Sequence, residues 1–376
     1  MKLTAQQSDR AAGVLLGTAA GDALGAGYEF TYPKAEVTID MIGGGPFDWA
    51  PGEWTDDTSM AVAIAEVAAT GIDIGSADGL DAIAAQFIRW YDSKPADIGN
   101  QTRAVLSVRS ESAAAMADCA RAISGRKAGN GSLMRTAPVA LSYLDDAEGA
   151  RSAAHRISSL THDDPRAGQA CELWTHAIRH AVASGNFDGV RGFLSVADQD
   201  VAEYWGGPLL DQAETGNPQD FSKNGWVVHA LQTAWWAITS TDNGDARHLQ
   251  YALEAAVRAG GGDTDTTAAI AGGLLGARWG SVGGSRPLAP NHAWLAGIPF
   301  LRSDSPGNKD RSRRYRRQER MAVDGRTRLL EVSRNPPPDD APARRRRHAR
   351  RRRCGVHCRL RRRGQPVPHG NTTGRS

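Results

Sequence analysis

Apolar residues recur at helical spacing through most of the chain from Ala11 to about Gly280. In residues 166–184, Ala167, Ala170, Leu173, Trp174, Ala177, Ile178 and Ala181 fall on one stripe, and residues 226–238 repeat this with Val227, Ala230, Leu231, Ala234, Trp235 and Ile238. Matching periods mark residues 79–91, 112–123, 148–160 and 245–259, with clusters of Gly, Pro, Asn and Asp breaking the pattern between them. The sequence contains no convincing run of alternating β-branched residues. The pattern therefore predicts an all-α fold built as a multi-helix bundle. Residues 11–27 and 268–276 are dominated by Ala and Gly. Side chains that small let helix axes approach closely; the competing reading is a compositional bias without structural meaning.

The periodicity stops near Phe300, and arginine runs at 311–320 and 344–353 follow, with Pro336-Pro337-Pro338 between them. Residues 304–376 hold 23 Lys and Arg against 7 Asp and Glu, which leaves 22 against 35 for the preceding part. The formal net charge of +3 thus conceals a basic tail and an acidic body. The expected organisation is one all-α domain over residues 1–300 and an Arg/Pro-rich extension over 301–376, either disordered or foreign to the fold. Nucleic acid enters as a partner only if that basic extension is native. Cys354, His357 and Cys358 have no second pair at zinc-site spacing.

With 40% hydrophobic residues the chain can close a substantial core. Its 4 cysteines are too few for a disulfide framework, which points to a reducing, cytoplasmic setting. The apolar run 11–20 after Lys2 and Arg10 looks like a short secretory signal, but Asp9 interrupts the positive region and Gly21-Asp22 continues a helical pattern. No apolar stretch approaches the roughly 20 residues that span a bilayer, so no membrane partner is expected.

Two acidic clusters carry the chemistry. Thr55-Asp56-Asp57-Thr58 ends a Gly/Pro-rich loop and leads into an apolar helical run, and Gly262-Asp263-Thr264-Asp265-Thr266 repeats that arrangement far downstream. One such cluster reads as ordinary helix N-capping. Two are more than capping needs, because crowded carboxylates repel unless a cation lies between them. All the donors are hard oxygens, suited to Mg²⁺ or Mn²⁺, and two such helix starts can clamp a metal pair about 3.5–4 Å apart. A calcium loop is excluded by Leu274 where its closing glutamate belongs. Gly129-Asn130-Gly131-Ser132-Leu133-Met134-Arg135 offers backbone amides, a hydroxyl and a guanidinium ahead of a helix, equipment for a pyrophosphate or other anion. In Thr161-His162-Asp163-Asp164-Pro165, capping explains Asp164 and Pro165 but does not require His162.

Taken in order, Gly17, Gly21-Asp22-Ala23-Leu24-Gly25, Glu29-Phe30, Trp54 to Thr58, Asp97-Ile98-Gly99, Gly129 to Arg135, Thr161-His162 and Gly262 to Thr266 resemble the motifs of the ADP-ribosylglycohydrolase family. The resemblance spans residues 13 to about 280. It implies an orthogonal all-α bundle with two Mg²⁺ or Mn²⁺ at the bottom of an ADP-ribose cleft. By the same resemblance Thr55, Asp56, Asp57, Asp263, Asp265 and Thr266 hold the metals, and Glu29 lies on a flap beside the scissile ribose. Asn130, Gly131, Ser132 and Met134 line the diphosphate and ribose site, with Asp97, Gly99 and His162 as further ligand contacts. The implied reaction is hydrolysis of the bond between ribose C1″ and an acceptor, releasing ADP-ribose from a protein or small molecule. The expected catalytic groups are Glu29, Asp265 and Asp57. Rival readings are a non-catalytic, crystallin-like member of the fold and an unrelated Mg²⁺-dependent phosphohydrolase.

Overall fold

The computed structural model describes residues 2–259 and 261–281, so the expected extension over 301–376 lies outside the described residues. Among the described residues there are fourteen α-helices and no strand. They run α1 (Ala5–Gly25), α2 (Asp56–Ala68), α3 (Ala77–Asp92), α4 (Asn100–Leu106), α5 (Ala113–Ala122), α6 (Val139–Ser142), α7 (Ala147–Ser159), α8 (Pro165–Ser184), α9 (Gly189–Gly192), α10 (Gln199–Tyr204), α11 (Asp211–Thr215), α12 (Val227–Thr239), α13 (Arg247–Ala259) and α14 (Thr264–Trp279). The all-α expectation holds. No helix among the described residues is long and apolar enough to cross a membrane.

Local chemistry sets the ends of the long helices. A reciprocal capping box starts α1, with Thr4 accepting from the Gln7 amide and the Gln7 side chain accepting from the Thr4 amide. Asp164 accepts from the Arg166 amide to start α8, Pro165 occupies the first turn, and Gly185 ends the helix in the left-handed region. Arg10 and Arg278 close that end by donating to the carbonyls of Ala183 and Gly185.

The centre of the bundle is the antiparallel pair α1 and α14. Gly13, Gly17, Gly21 and Gly25, four residues apart, place their bare backbones against Gly276, Gly272, Ala268 and Asp265. A Cβ on Gly17 would stand 2.1 Å from the Gly272 carbonyl oxygen, and one on Gly272 would stand 2.0 Å from that of Gly17. The Ala/Gly bias of these helices is therefore structural: the two backbones touch. The apolar run 11–20 is core, packed on α14 rather than standing apart. Helix α8 covers the pair, and the buried Trp174 indole donates to the Ile270 carbonyl at 2.9 Å. The consequence for function is positional. The C-terminal end of α1 is held beside the N-terminal end of α14.

Gly272→Ala forces backbone against backbone, where no rotamer change can relieve the clash. A loss of about 1–3 kcal/mol or more is expected, a fall of several degrees in melting temperature for a domain this size. Gly207→Ala, whose Cβ meets nothing within 4 Å, is expected to leave the melt unchanged; equal effects in calorimetry would contradict the contact.

Candidate active site

Both acidic clusters fall inside first turns, because α2 begins at Asp56 and α14 at Thr264, three and four residues earlier than the apolar runs that follow them. Asp22 on α1 accounts for the early start of α2. Its carboxylate accepts from the Thr55 amide at 2.9 Å, the Thr58 amide at 3.0 Å and the Thr58 hydroxyl at 2.6 Å. The cap of α2 thus comes from another helix, and neither Thr55 nor Asp263 makes a side-chain capping bond of its own. Simple N-capping does not explain the clusters. On α14, the Thr264 hydroxyl donates to the Gly25 carbonyl at 2.9 Å, tying the two helix ends together.

The carboxylates converge. Asp22, Asp57 and Asp265, all buried, each offer an oxygen within 4.8 Å of the others, and Glu29, Asp97 and Asp265 form a second such group that shares Asp265. Asp57 Oδ2 accepts from the Thr55 hydroxyl at 3.1 Å and the Thr266 hydroxyl at 3.5 Å. Its Oδ1 and the Glu29 Oε2 are buried without a hydrogen-bond partner among the described residues. Buried anionic oxygens left bare are expensive unless a cation or a proton meets them. With oxygen donors throughout, these residues fit a small hard divalent cation. Asp263 belongs to neither group; it turns to Asn130, whose Nδ2 donates to it at 2.7 Å and also reaches the Asn224 carbonyl at 2.8 Å. Asp56 lies at the rim, lining a cleft with Asp97.

Electrostatics give the same picture. Burial pushes Asp22 up to about 6 against the pull of its hydrogen bonds from Thr55 and Thr58. Burial, and then repulsion led by Asp97, pushes Asp56 up to about 8 and Glu29 up to about 9. Asp57 and Asp265 are driven well above the ordinary range by burial and by their carboxylate neighbours, and Asp97 and Asp263 are also raised, chiefly by burial.

Glu29 follows the 3-10 turn Ala26–Tyr28 that succeeds α1 and is buried, and the next residue, Phe30, is pinned by its amide to the Gly262 carbonyl at 2.8 Å. The segment beyond is tied to α13 by Arg258, which donates to the carbonyls of Lys34 and Val37 at 3.0 and 2.6 Å.

The loop at 129–135 departs from expectation. Asn130–Ser132 forms a single 3-10 turn, and α6 begins only at Val139. Arg135 points into the core, its guanidinium 4.5 Å from the Phe87 ring centroid and donating to the Thr161 hydroxyl at 2.7 Å. It supports the loop from behind and is not available to an anion. Ser132 and Met134 are buried as side chains, with Ser132 accepting from the Ser158 hydroxyl at 2.9 Å. His162 lies under the loop: a Cβ on Gly131 would stand 3.0 Å from its Cε1. Burial, with Arg135 adding to it, pushes the imidazole down to about 3, so His162 is neutral. Gly99 is exposed as the N-cap of α4. The sequence reading assigned no role to Asp22. Its signal was a lone carboxylate among apolar neighbours on a helix face that is otherwise buried.

An all-α bundle whose helix ends gather buried carboxylates beside a cleft is an arrangement that can take up a hard divalent cation. A family profile described as ADP-ribosylglycohydrolase matches residues 3–290. The chain belongs to that family. It is 32% identical over 310 residues to ADP-ribosylarginine hydrolase Tri1 of Pseudomonas putida (strain GB-1), covering 80% of this chain and 78% of the relative. It is 30% identical over 280 residues to ADP-ribosyl-[dinitrogen reductase] glycohydrolase of Rhodospirillum rubrum, covering 72% and 86%. A solved structure titled ADP-ribosylglycohydrolase-related protein complex superposes with a TM-score of 0.60 at 28% identity, covering 88% of this chain and 99% of that one.

Carboxylates raised by burial bind more protons in the folded than in the unfolded chain. Their effect on stability is a penalty absent below about pH 4 that grows as pH rises to about 9. Chelated protein is therefore expected to melt at progressively lower temperature across that window. Excess Mg²⁺ should raise the melting temperature more at about pH 8 than at about pH 5, followed by thermal fluorescence. An equal Mg²⁺ effect at both pH values would contradict the crowding.

Proposed function

We propose that this chain hydrolyses the bond between ribose C1″ and an arginine side chain of an ADP-ribosylated protein, with two Mg²⁺ or Mn²⁺ held by its acidic clusters. Its family is one of glycosidic-bond hydrolases acting on ADP-ribose, and arginine is the acceptor named for the Pseudomonas putida relative. The observation that carries the reading is the meeting of Asp57 and Asp265 from motifs about two hundred positions apart, with a buried Asp57 oxygen that no donor among the described residues satisfies.

Thr55, Asp56 and Asp57 would hold the cations from one side, and Asp263, Asp265 and Thr266 from the other. Bound there, the cations would neutralise the crowded carboxylates and would grip and orient the ribose hydroxyls beside the scissile bond. Asp22 is a positioning residue: by capping α2 it fixes where Asp56 and Asp57 stand. Glu29, at Oε2, or Asp265 orients or deprotonates the attacking water. Asn130 and Gly131 present the ribose and diphosphate contacts. Ser132 and Met134 shape that loop from its buried side, and neutral His162 supports it from below.

Incubation with peptides ADP-ribosylated on arginine or on serine, with and without chelator, tests the reading. Free ADP-ribose is expected from the arginine peptide in Mg²⁺ or Mn²⁺ and not after chelation. Release of phosphate in its place, or turnover unaffected by chelator, would contradict it. Glu29→Ala and Asp265→Ala are expected to lose at least about 10²-fold in kcat while still binding ADP-ribose; full activity in both would refute their roles.

A further inference from the structure

Arg135, Thr161 and His162 form a buried hydrogen-bonded chain that the chemistry above uses only as support. Arg135 Nη2 donates to the Thr161 hydroxyl at 2.7 Å, and that hydroxyl stands 2.8 Å from His162 Nδ1. A guanidinium only donates, so it fills a lone pair of the hydroxyl oxygen and can accept nothing from the hydroxyl proton. Among the described residues that proton has one acceptor within reach, His162 Nδ1. Were Nδ1 protonated instead, the Thr161 oxygen would face two donors while its own proton was left bare in a fully buried place, which is costly. Burial, and then the nearby Arg135, push the imidazole down to about 3, so the ring carries a single proton. That proton sits on Nε2.

We propose that Arg135 is a positioning residue: through the Thr161 hydroxyl it locks His162 as the Nε2–H tautomer, a fixed uncharged donor to an acceptor oxygen of the bound diphosphate. The identity of that ligand rests on the glycohydrolase reading; the place of the proton does not. Nε2 is the ring atom that faces both loop glycines, 3.1 Å from where a Cβ on Gly129 would stand and 3.2 Å from one on Gly131. The two missing side chains leave the opening that the ring fills from below, and Gln101 Oε1 and Thr102 Oγ1, from the first turn of α4, stand 3.5 Å from the same two positions. Gln101 steadies the chain by donating to the Thr161 carbonyl at 2.9 Å and to the Lys127 carbonyl at 3.0 Å. The bond at Nδ1 is the only hydrogen bond that the ring makes among the described residues, so Nε2–H is left for a ligand. A ring with its proton on Nδ1 would turn a lone pair to the opening and repel the oxygen that the Nε2–H form attracts.

Nitrogen NMR of labelled imidazoles in the ligand-free protein reads the tautomer, and calorimetric titration with ADP-ribose in Mg²⁺ reads its use. The unaltered protein is expected to show His162 with a bare Nδ1 and a protonated Nε2. Thr161→Val, which keeps the shape and removes the hydroxyl, and Arg135→Met, which removes the donor, are expected to give a mixture of tautomers. Both are expected to weaken ADP-ribose by about three- to tenfold, with the change larger in KM than in kcat on the arginine-linked peptide. Thr161→Ser is expected to restore both readouts, and Arg135→Lys, whose ammonium is equally unable to accept, to keep the tautomer. A protonated Nδ1 in the unaltered protein, or a folded Thr161→Val protein that keeps both the tautomer and the affinity, overturns the lock and leaves the hydrolase standing. The threonine pair decides this even where Arg135→Met does not fold. A locked ring in a protein that neither binds nor releases ADP-ribose overturns the glycohydrolase reading, and the use of the ring with it.

Discussion

The site exists because two helix backbones touch. Four glycines on α1 leave bare backbone along the line that meets α14, and Gly272 and Gly276 do the same in return. With larger residues the helix axes would stand a normal interhelical distance apart, about 8–10 Å, and the end of α1 would no longer reach the start of α14. The contact sets Gly25 against Thr264 and Asp265, where the Thr264 hydroxyl closes on the Gly25 carbonyl. Small residues are here a means of placing chemistry.

From that contact the acidic centre is assembled in steps. Asp22, one turn before the end of α1, takes over the amide donors of α2 and so draws its N-terminal end into the same space. Asp56 and Asp57 are thereby released from the capping work that acidic residues at a helix start ordinarily do. They turn to face Asp265 and Asp97 across a small buried volume. The helix N-termini, which carry partial positive charge, moderate the repulsion but do not remove it, as the upward displacement of every carboxylate in the group shows. A cluster that resists ionisation when empty is one that gains on taking up a divalent cation.

Much of this was legible in the sequence, and the parts that were not have physical reasons. The long helices showed through periodicity, since six or seven residues on one face, as in 166–184 and 226–238, give a clear 3.6 repeat. Helices α4, α6 and α9 to α11 span four to seven residues, too short for a period to emerge. Both acidic clusters could be read as more than caps because there were two of them. Which oxygens would meet was hidden, however, because Asp263 pairs with Asn130 through contacts between distant segments. Arg135 looked like an anion ligand because it follows a glycine-rich turn. Only the packing against Phe87 and Thr161 reveals that it faces inward. Asp22 was visible as a letter in a motif but not as a cap, because its partners lie 33 and 36 residues away.

The most direct test of the account is electron paramagnetic resonance of Mn²⁺ added to metal-free protein at mildly alkaline pH. Two ions per chain with a spin-coupled spectrum are expected, lost together when Asp265 is replaced by Asn. A spectrum of free aqueous Mn²⁺ in the presence of excess protein would contradict the claim that these helix ends form a cation site.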